Sequence, residues 1–394
     1  MNFNKLTKFF ALASLLLYTT PGHALEVGGF NFTGSGFLTL AAGTVFNNSA
    51  AENNSGFNCP CFVSNFSYGG IYKNSGLQVM PDSKIGLQGT VDYNNRYSLT
   101  AQVVARGADK GDIDLQWLFG SVRFNNNFTL QVGRKRLPLF YHSETQDVGF
   151  SYPWVHLPPQ VYGWSIVNYN GVNLLYEDQW GDWASSVNVF YGNETVRDNS
   201  FGKVYDGKFS RSDTRWSDIL GAYLSLSKDW FEARLLYIQT DRQEIVWDTR
   251  EPRPPDQVFS DDNKNARKIY GLSVNIDFNQ WLARSEFALT TTDGYFSEFA
   301  QFYGVGYRFG KLLTMVSFGH YRSDFEPVEA HSTTSLLLRY NLTATSDIKL
   351  QYDHWQNHSS AEFFSGEGQN RGFPNTALPQ GAADLISVSY DMVF

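Results

Sequence analysis

The side chains of this 394-residue chain that are able to do chemistry are charges recurring at alternate positions of otherwise apolar segments. Successive side chains of a β-strand point to opposite faces, so such spacing collects the charges on one side. By that parity Lys84, Arg106, Arg123, Arg234, Arg284, Arg308, Arg339 and Lys349 share a face with Asp92, Glu232, Asp277, Glu286, Asp353 and Asp391. If the sheet closes, opposed charges on its inner face set a transverse field that sorts solutes by charge and dipole. A further cluster, Arg134-Lys135-Arg136, ends one alternating run and gives the inner face a slight lean towards anions. Strict alternation from Leu130 and Val132 points Arg134 outward. At mid-bilayer an arginine on that face costs ~2–4 kcal/mol. A bulge at Gly133 is therefore expected, turning Arg134 inward.

Patterns for other chemistry are weak. There is no Gly-x-Ser-x-Gly elbow and no P-loop. Cys59-Pro60-Cys61 lacks zinc spacing, and as a pair it is open to two readings, a small strained disulfide ring or two loop thiols. His142, His156, His320, His331, His354 and His358 form no metal signature. His320 beside Ser335 is the one faint Ser/His pairing for a lipid-facing phospholipase site. Asp256, Asp261, Asp262, Glu326 and Glu329 are read as loop carboxylates, solvated or bridged to lipopolysaccharide by divalent cations. The formal charge of −8 offers no partner surface for nucleic acid. The chain is read as a non-enzyme that needs no cofactor.

The elements that must position these charges are short strands. Lys5 and Lys8 followed by the apolar run Phe9 to Tyr18 and by Gly22-His23-Ala24 mark residues 1–24 as a cleaved secretory signal, with one domain over 25–394. No other segment approaches ~20 consecutive apolar residues, which leaves strands as the membrane-crossing elements. Alternating runs meet at short turns: Asn94-Asn95, Asn125 to Asn127, Gln179 to Asp182, Lys228-Asp229, Asn279-Gln280, Gly310-Lys311 and Ala344 to Ser346. With an opening strand near Phe30 to Val45 and a closing one from Asp384 to Phe394, the count is about sixteen. An even, closed set removes both edges, and a ring of this size encloses an aqueous lumen. Tyr93, Tyr97, Phe124, Phe128, Tyr176, Phe231, Phe278, Trp281 and Phe309 flank the turns as an aromatic girdle. The other connections are long, roughly 46–83, 107–112, 135–169, 192–217, 241–267, 291–299, 322–332 and 356–383.

The stretch from Tyr141 to Tyr162 is too apolar for a loop in water, and Pro153, Pro158 and Pro159 stiffen it. It is expected to fold into the lumen. In its signal, its hairpins, the Gly133-Arg134 ending the fifth strand, this long third loop and the terminal Phe394, the chain resembles the sixteen-stranded general porins of Gram-negative bacteria. Arg134-Lys135-Arg136-Leu137-Pro138-Leu139 and Tyr152-Pro153-Trp154 resemble a porin-like subgroup. The resemblance implies an all-β outer-membrane barrel with long extracellular loops, short periplasmic turns and passive diffusion of small hydrophilic solutes; a substrate-specific, anion-preferring channel is the alternative. It also implies a constriction in which Glu144 and Asp147 on the loop face Arg134, Lys135, Arg136, Arg106, Arg123, Arg284, Glu286 and Arg339. Implied partners are membrane lipid and lipopolysaccharide, the barrel-assembly machinery through the strand ending in Phe394, and two further copies in a homotrimer. The second loop, which often latches a neighbour in that family, is short here.

Overall fold

The computed structural model describes residues 25–46, 61–73, 76–252, 258–259, 264–293, 296–365 and 376–394. The expected signal 1–24, Cys59, Asp256, Asp261 and Asp262 lie outside the described residues. A short strand β1 (Leu25–Val27) folds back on β2 (Phe30–Val45). A hairpin, β3 (Cys61–Asn65) and β4 (Gly70–Lys73), lies within the first long loop. The next six strands are β5 (Lys84–Tyr93), β6 (Tyr97–Arg106), β7 (Ile113–Arg123), β8 (Phe128–Arg136), β9 (Asn168–Trp180) and β10 (Trp183–Asn199). After them come β11 (Ser210–Lys228), β12 (Phe231–Asp248), β13 (Asn265–Phe278), β14 (Trp281–Thr292) and β15 (Phe296–Phe309). The chain finishes with β16 (Leu312–Ser323), β17 (Ala330–Asn341), β18 (Ser346–Asn357) and β19 (Ala382–Val393).

Each strand from β5 to β19 pairs antiparallel with the next, β2 pairs with β5, and β19 closes on β2 through Asp391↔Thr39 and Val388↔Ala42. The result is the expected closed sheet of sixteen strands. Closure leaves no open edge, the condition for a sheet to sit in hydrocarbon. Tight turns do the joining at one end: Asn94 and Asn95 both take φ of +54°, the left-handed region asparagine tolerates and a primed two-residue turn requires. Leu99, Val132, Leu235, Val316, Leu336 and Leu350 are exposed on the outer face, while Ser273, Ser317, Asp353 and Ser389 are buried on the inner one. Aromatic pairs sit beside the turns, with rings of Phe30 and Tyr93 4.7 Å apart and those of Trp281 and Tyr307 5.0 Å apart.

Two stretches differ from the sequence reading. Much of 192–217 and 241–267 is strand, because β10 to β13 rise well above their neighbours. Register shifts at Gly192/Glu194, Val196/Asn199 and Ser217/Leu220, with Asp198 and Asp218 at φ +52°, break the two-residue periodicity there and hide the strands from pattern reading. The bulge expected at Gly133 is not formed: pairing runs through it without a shift on both sides, Phe119↔Gly133↔Gly171.

The interior is packed rather than empty. Leu137, Phe140, Trp154, Val161 and Ile166 of the third loop join Phe190, Trp216, Ile238, Ile269 and Phe302 of the wall in one apolar cluster. A second cluster at the loop end joins Phe62 and Phe66 of the hairpin to Val204, Trp355, Phe363 and Leu385.

Candidate functional site: the third loop across the lumen

The loop begins where β8 ends and is closed at its base by Leu137 N–H donating to Val167 O at 2.9 Å. From there it crosses the barrel and is held by the wall on several sides. On one side Lys349 Nζ donates to the carbonyls of Gly149 at 2.6 Å and Trp154 at 3.0 Å, and pairs with Asp391 at 3.1 Å. Arg339 donates to the Phe150 carbonyl at 3.0 Å and the Tyr152 carbonyl at 3.3 Å, and pairs with Asp347 at 2.8 Å. Gly149 is required here, since a Cβ would stand 1.9 Å from Asp391 Oδ1. Trp154 Nε1 donates to Ser317 Oγ at 3.0 Å, with its ring edge-on to Phe302.

Across the lumen, Asp147 accepts from Arg106 Nε at 2.9 Å and Nη2 at 2.6 Å, and Arg136 reaches the same carboxylate. Tyr68 of the first loop stacks under the Arg106 guanidinium at 3.8 Å. Burial opposes ionisation of Asp147, but Arg106 and Arg136 outweigh it and hold its carboxyl well below the usual carboxylate range. On a third side Glu286 accepts the Tyr141 N–H at 2.8 Å, the Ser273 hydroxyl at 2.9 Å and the Tyr162 hydroxyl. Buried His156 sits between Asp82 and Asp353, 3.2 Å from each. Burial disfavours its charge, yet Asp353 and Asp82 push its pKa up to about 10. His142, also buried, goes the other way: burial and then Arg284, Arg234 and Lys349 lower it to about 3.

The structure thus brings Arg106, Arg136, Asp147, Glu286 and Arg339 onto the loop, though as paired anchors rather than open charges. Lys135 contacts the Gln131 amide oxygen, and Glu144, half-buried on the loop, lies within its electrostatic reach. The others make their hydrogen bonds away from the loop. Arg123 donates to the Asn95 carbonyl at 3.3 Å in a turn. Arg284 bonds the Ile276 carbonyl at 3.0 Å along its own wall. Arg134 is tied into the wall, donating to the Leu115 carbonyl at 2.9 Å and pairing with Glu194 at 2.6 Å. Arg134 and Arg136 of the Arg134-Lys135-Arg136 cluster are thus both paired with carboxylates. His320 pairs across strands with Ser332, not Ser335, and Ser335 donates to Asp353 inside the barrel, so the expected pairing of His320 with Ser335 does not form. Cys61 is disulfide-bonded. Sequence reasoning missed His156 and Asp82; it placed Lys349, Asp353 and Asp391 on the inner face by parity without seeing that they grip the loop.

A closed sixteen-stranded antiparallel sheet, apolar outside and crossed within by its third loop, has the fold of the porin-like β-barrels. Among solved structures it is similar to the outer-membrane channel DcaP of Acinetobacter baumannii, at 11 % identity over 95 % of this chain and 100 % of that one, with a TM-score of 0.57. It is similar also to the anion-selective porin from Comamonas acidovorans, at 14 % identity over 93 % and 100 % with a TM-score of 0.57, and to Salmonella typhi OmpF, at 11 % over 94 % and 100 % with a TM-score of 0.52. At these identities the likeness is one of fold. No protein-family model and no curated protein matches the chain.

Proposed function

We propose that the chain is an outer-membrane channel for small hydrophilic solutes, made selective by a third loop that nearly fills its lumen. The observation behind this reading is the anchoring of residues 137–167 on opposed walls, through Asp147 on one side and the Lys349 and Arg339 contacts on the other. Among the described residues two spaces lie towards the two ends of the barrel. One, of about 570 Å³ at the turn end, is lined by Asn126, Glu177, Ser185, Ser225, Glu232 and Arg234. The other, of about 380 Å³, lies at the loop end. The third loop thus crosses the wide open lumen expected of a ring this size, which favours a substrate-selective channel over a general sieve.

In this reading residues 1–24 are the cleaved signal, the turns face the periplasm and the loops face outward. Lipopolysaccharide surrounds the barrel, its last strand engages the assembly machinery, and it works as a homotrimer, as one Vibrio cholerae OmpT structure is described in trimer form. The mature chain, refolded and inserted in planar bilayers, is expected to give discrete steps in KCl smaller than those of an open sixteen-stranded pore. Absence of any conductance, both from the wild type and from Asp147→Asn, would overturn the proposal.

A further inference from the structure

The cavity of about 380 Å³ at the loop end is walled by Phe66, Trp164, Tyr205, Phe296, Tyr321 and Phe325. Its charged lining is unbalanced: the carboxyl groups of Asp206, Glu244, Glu298 and Glu329 stand against the guanidinium groups of Arg242 and Arg267. Both guanidinium groups are already engaged, Arg267 with Glu298 at 2.7 Å and Arg242 with Glu244. Glu329 is buried, and among the described residues no lysine or arginine comes within ion-pair distance of it. Its neighbours are the Tyr205 hydroxyl at 3.4 Å and the His331 ring at 3.4 Å, which is itself stacked 4.1 Å from Trp355. Burial, with Glu298 beside it, pushes the Glu329 carboxyl up to about 8, the response of a buried acid that lacks a cation.

A second, independent feature lies on the third loop where it lines the same cavity. Gln160, only 4 % exposed, donates its amide nitrogen to Thr333 Oγ1 at 2.6 Å and leaves its amide oxygen Oε1 without a partner. Buried polar atoms in native proteins are normally paired, so an orphaned acceptor beside a cavity points to a donor that arrives from outside. An ammonium group supplies donors to both acceptors, and flat rings around a cation add attraction through their faces.

We propose that this cavity is a binding subsite for an organic monocation with an apolar or aromatic body, its ammonium set between Glu329 and the Gln160 oxygen and its body among Phe66, Tyr205 and Phe296. The proposal rests on the channel reading above and narrows it, naming aromatic or aliphatic amines as the preferred solute class. It reverses the charge preference read from the sequence. The test is current block through the refolded channel by 2-phenylethylammonium, with phenylacetate as the anion of similar body. Saturable block by the cation and none by phenylacetate is expected. Glu329→Gln and, independently, Phe296→Ala should each weaken the block about tenfold. Equal block by phenylacetate, or block unaltered in both variants, overturns the subsite. Should neither the wild type nor Asp147→Asn conduct ions, the channel reading fails by itself, and quenching of tryptophan fluorescence in detergent decides the subsite. Saturation by the cation alone then upholds it, and no saturation overturns it.

Discussion

At the scale of single residues, the third loop is held by charges removed from water, and their titration sets when it is held. Breaking a buried ion pair by removing one partner costs ~3–5 kcal/mol, because a desolvated charge is left alone. Asp147→Asn leaves Arg136 without a carboxylate and Arg106 with Asp114 alone, at 3.0 Å, so it should release the loop; larger and noisier single-channel steps check this. Asp147 and His156 also bound a pH window. The carboxyl of Asp147 is depressed in the folded state, so its contribution is present above about 4 and lost as pH falls through the folded value. The imidazole of His156 is raised from 6.5 to about 10, so its contribution is complete below 6.5 and fades as pH climbs towards 10. Loop closure should therefore be firmest between about pH 4 and 6.5, with conductance rising on both sides of that interval. In His156→Gln the alkaline rise should vanish while the acid one remains.

At the scale of elements, the loop is a packing unit as well as an electrostatic one. Trp154 is fully buried among Phe302, His142 and Ser317, and Trp154→Ala should cost ~3–5 kcal/mol through the cavity it leaves. An increase in conductance with an unchanged far-ultraviolet strand signal is the expected readout. Beneath the loop, β8, β9 and β10 set Gly133, Gly171 and Gly192 side by side. A Cβ on Gly171 would stand 2.0 Å from the Tyr191 carbonyl oxygen, so Gly171→Ala has to prise two strands apart. Heat-modifiable refolding of that variant should drop sharply, whereas Gly89→Ala, with open space around it, should refold as the wild type. Strand number, turn positions and the inward loop were legible because each rests on local rules: alternation, turn residues and an apolar run with three prolines. The bulged upper parts of β10 to β13 were not, since a single bulge resets the two-residue phase. Nor was the state of Arg134. Its neutralising partner, Glu194, lies sixty residues on, and no spacing rule links two residues that only the closed wall brings together.

At the scale of the whole molecule, the barrel separates two apolar phases by one layer of backbone. Leu336, Leu338 and Val316 are exposed outside, and the loop covers Phe190, Trp216 and Ile269 inside. The ladder that closes β19 onto β2 does not pass through the loop, so the ring and its filling are separable in principle. They are not independent in energy, because wall residues that face the loop would face water once it is gone, at about 25 cal/mol for each Å² of apolar surface. Replacing 141–162 by a short glycine-serine linker should then yield a barrel that still folds and shifts on heating, melts at a lower temperature, and conducts several-fold more. Leu336→Arg offers the contrast, since its penalty of ~2–4 kcal/mol falls on the lipid side and should reduce insertion without changing the conductance of channels that do insert. If the linker variant failed to fold while Leu336→Arg inserted normally, the loop would be part of the fold's nucleus, and a gate that loosens at the pH limits argued above could not be built from it.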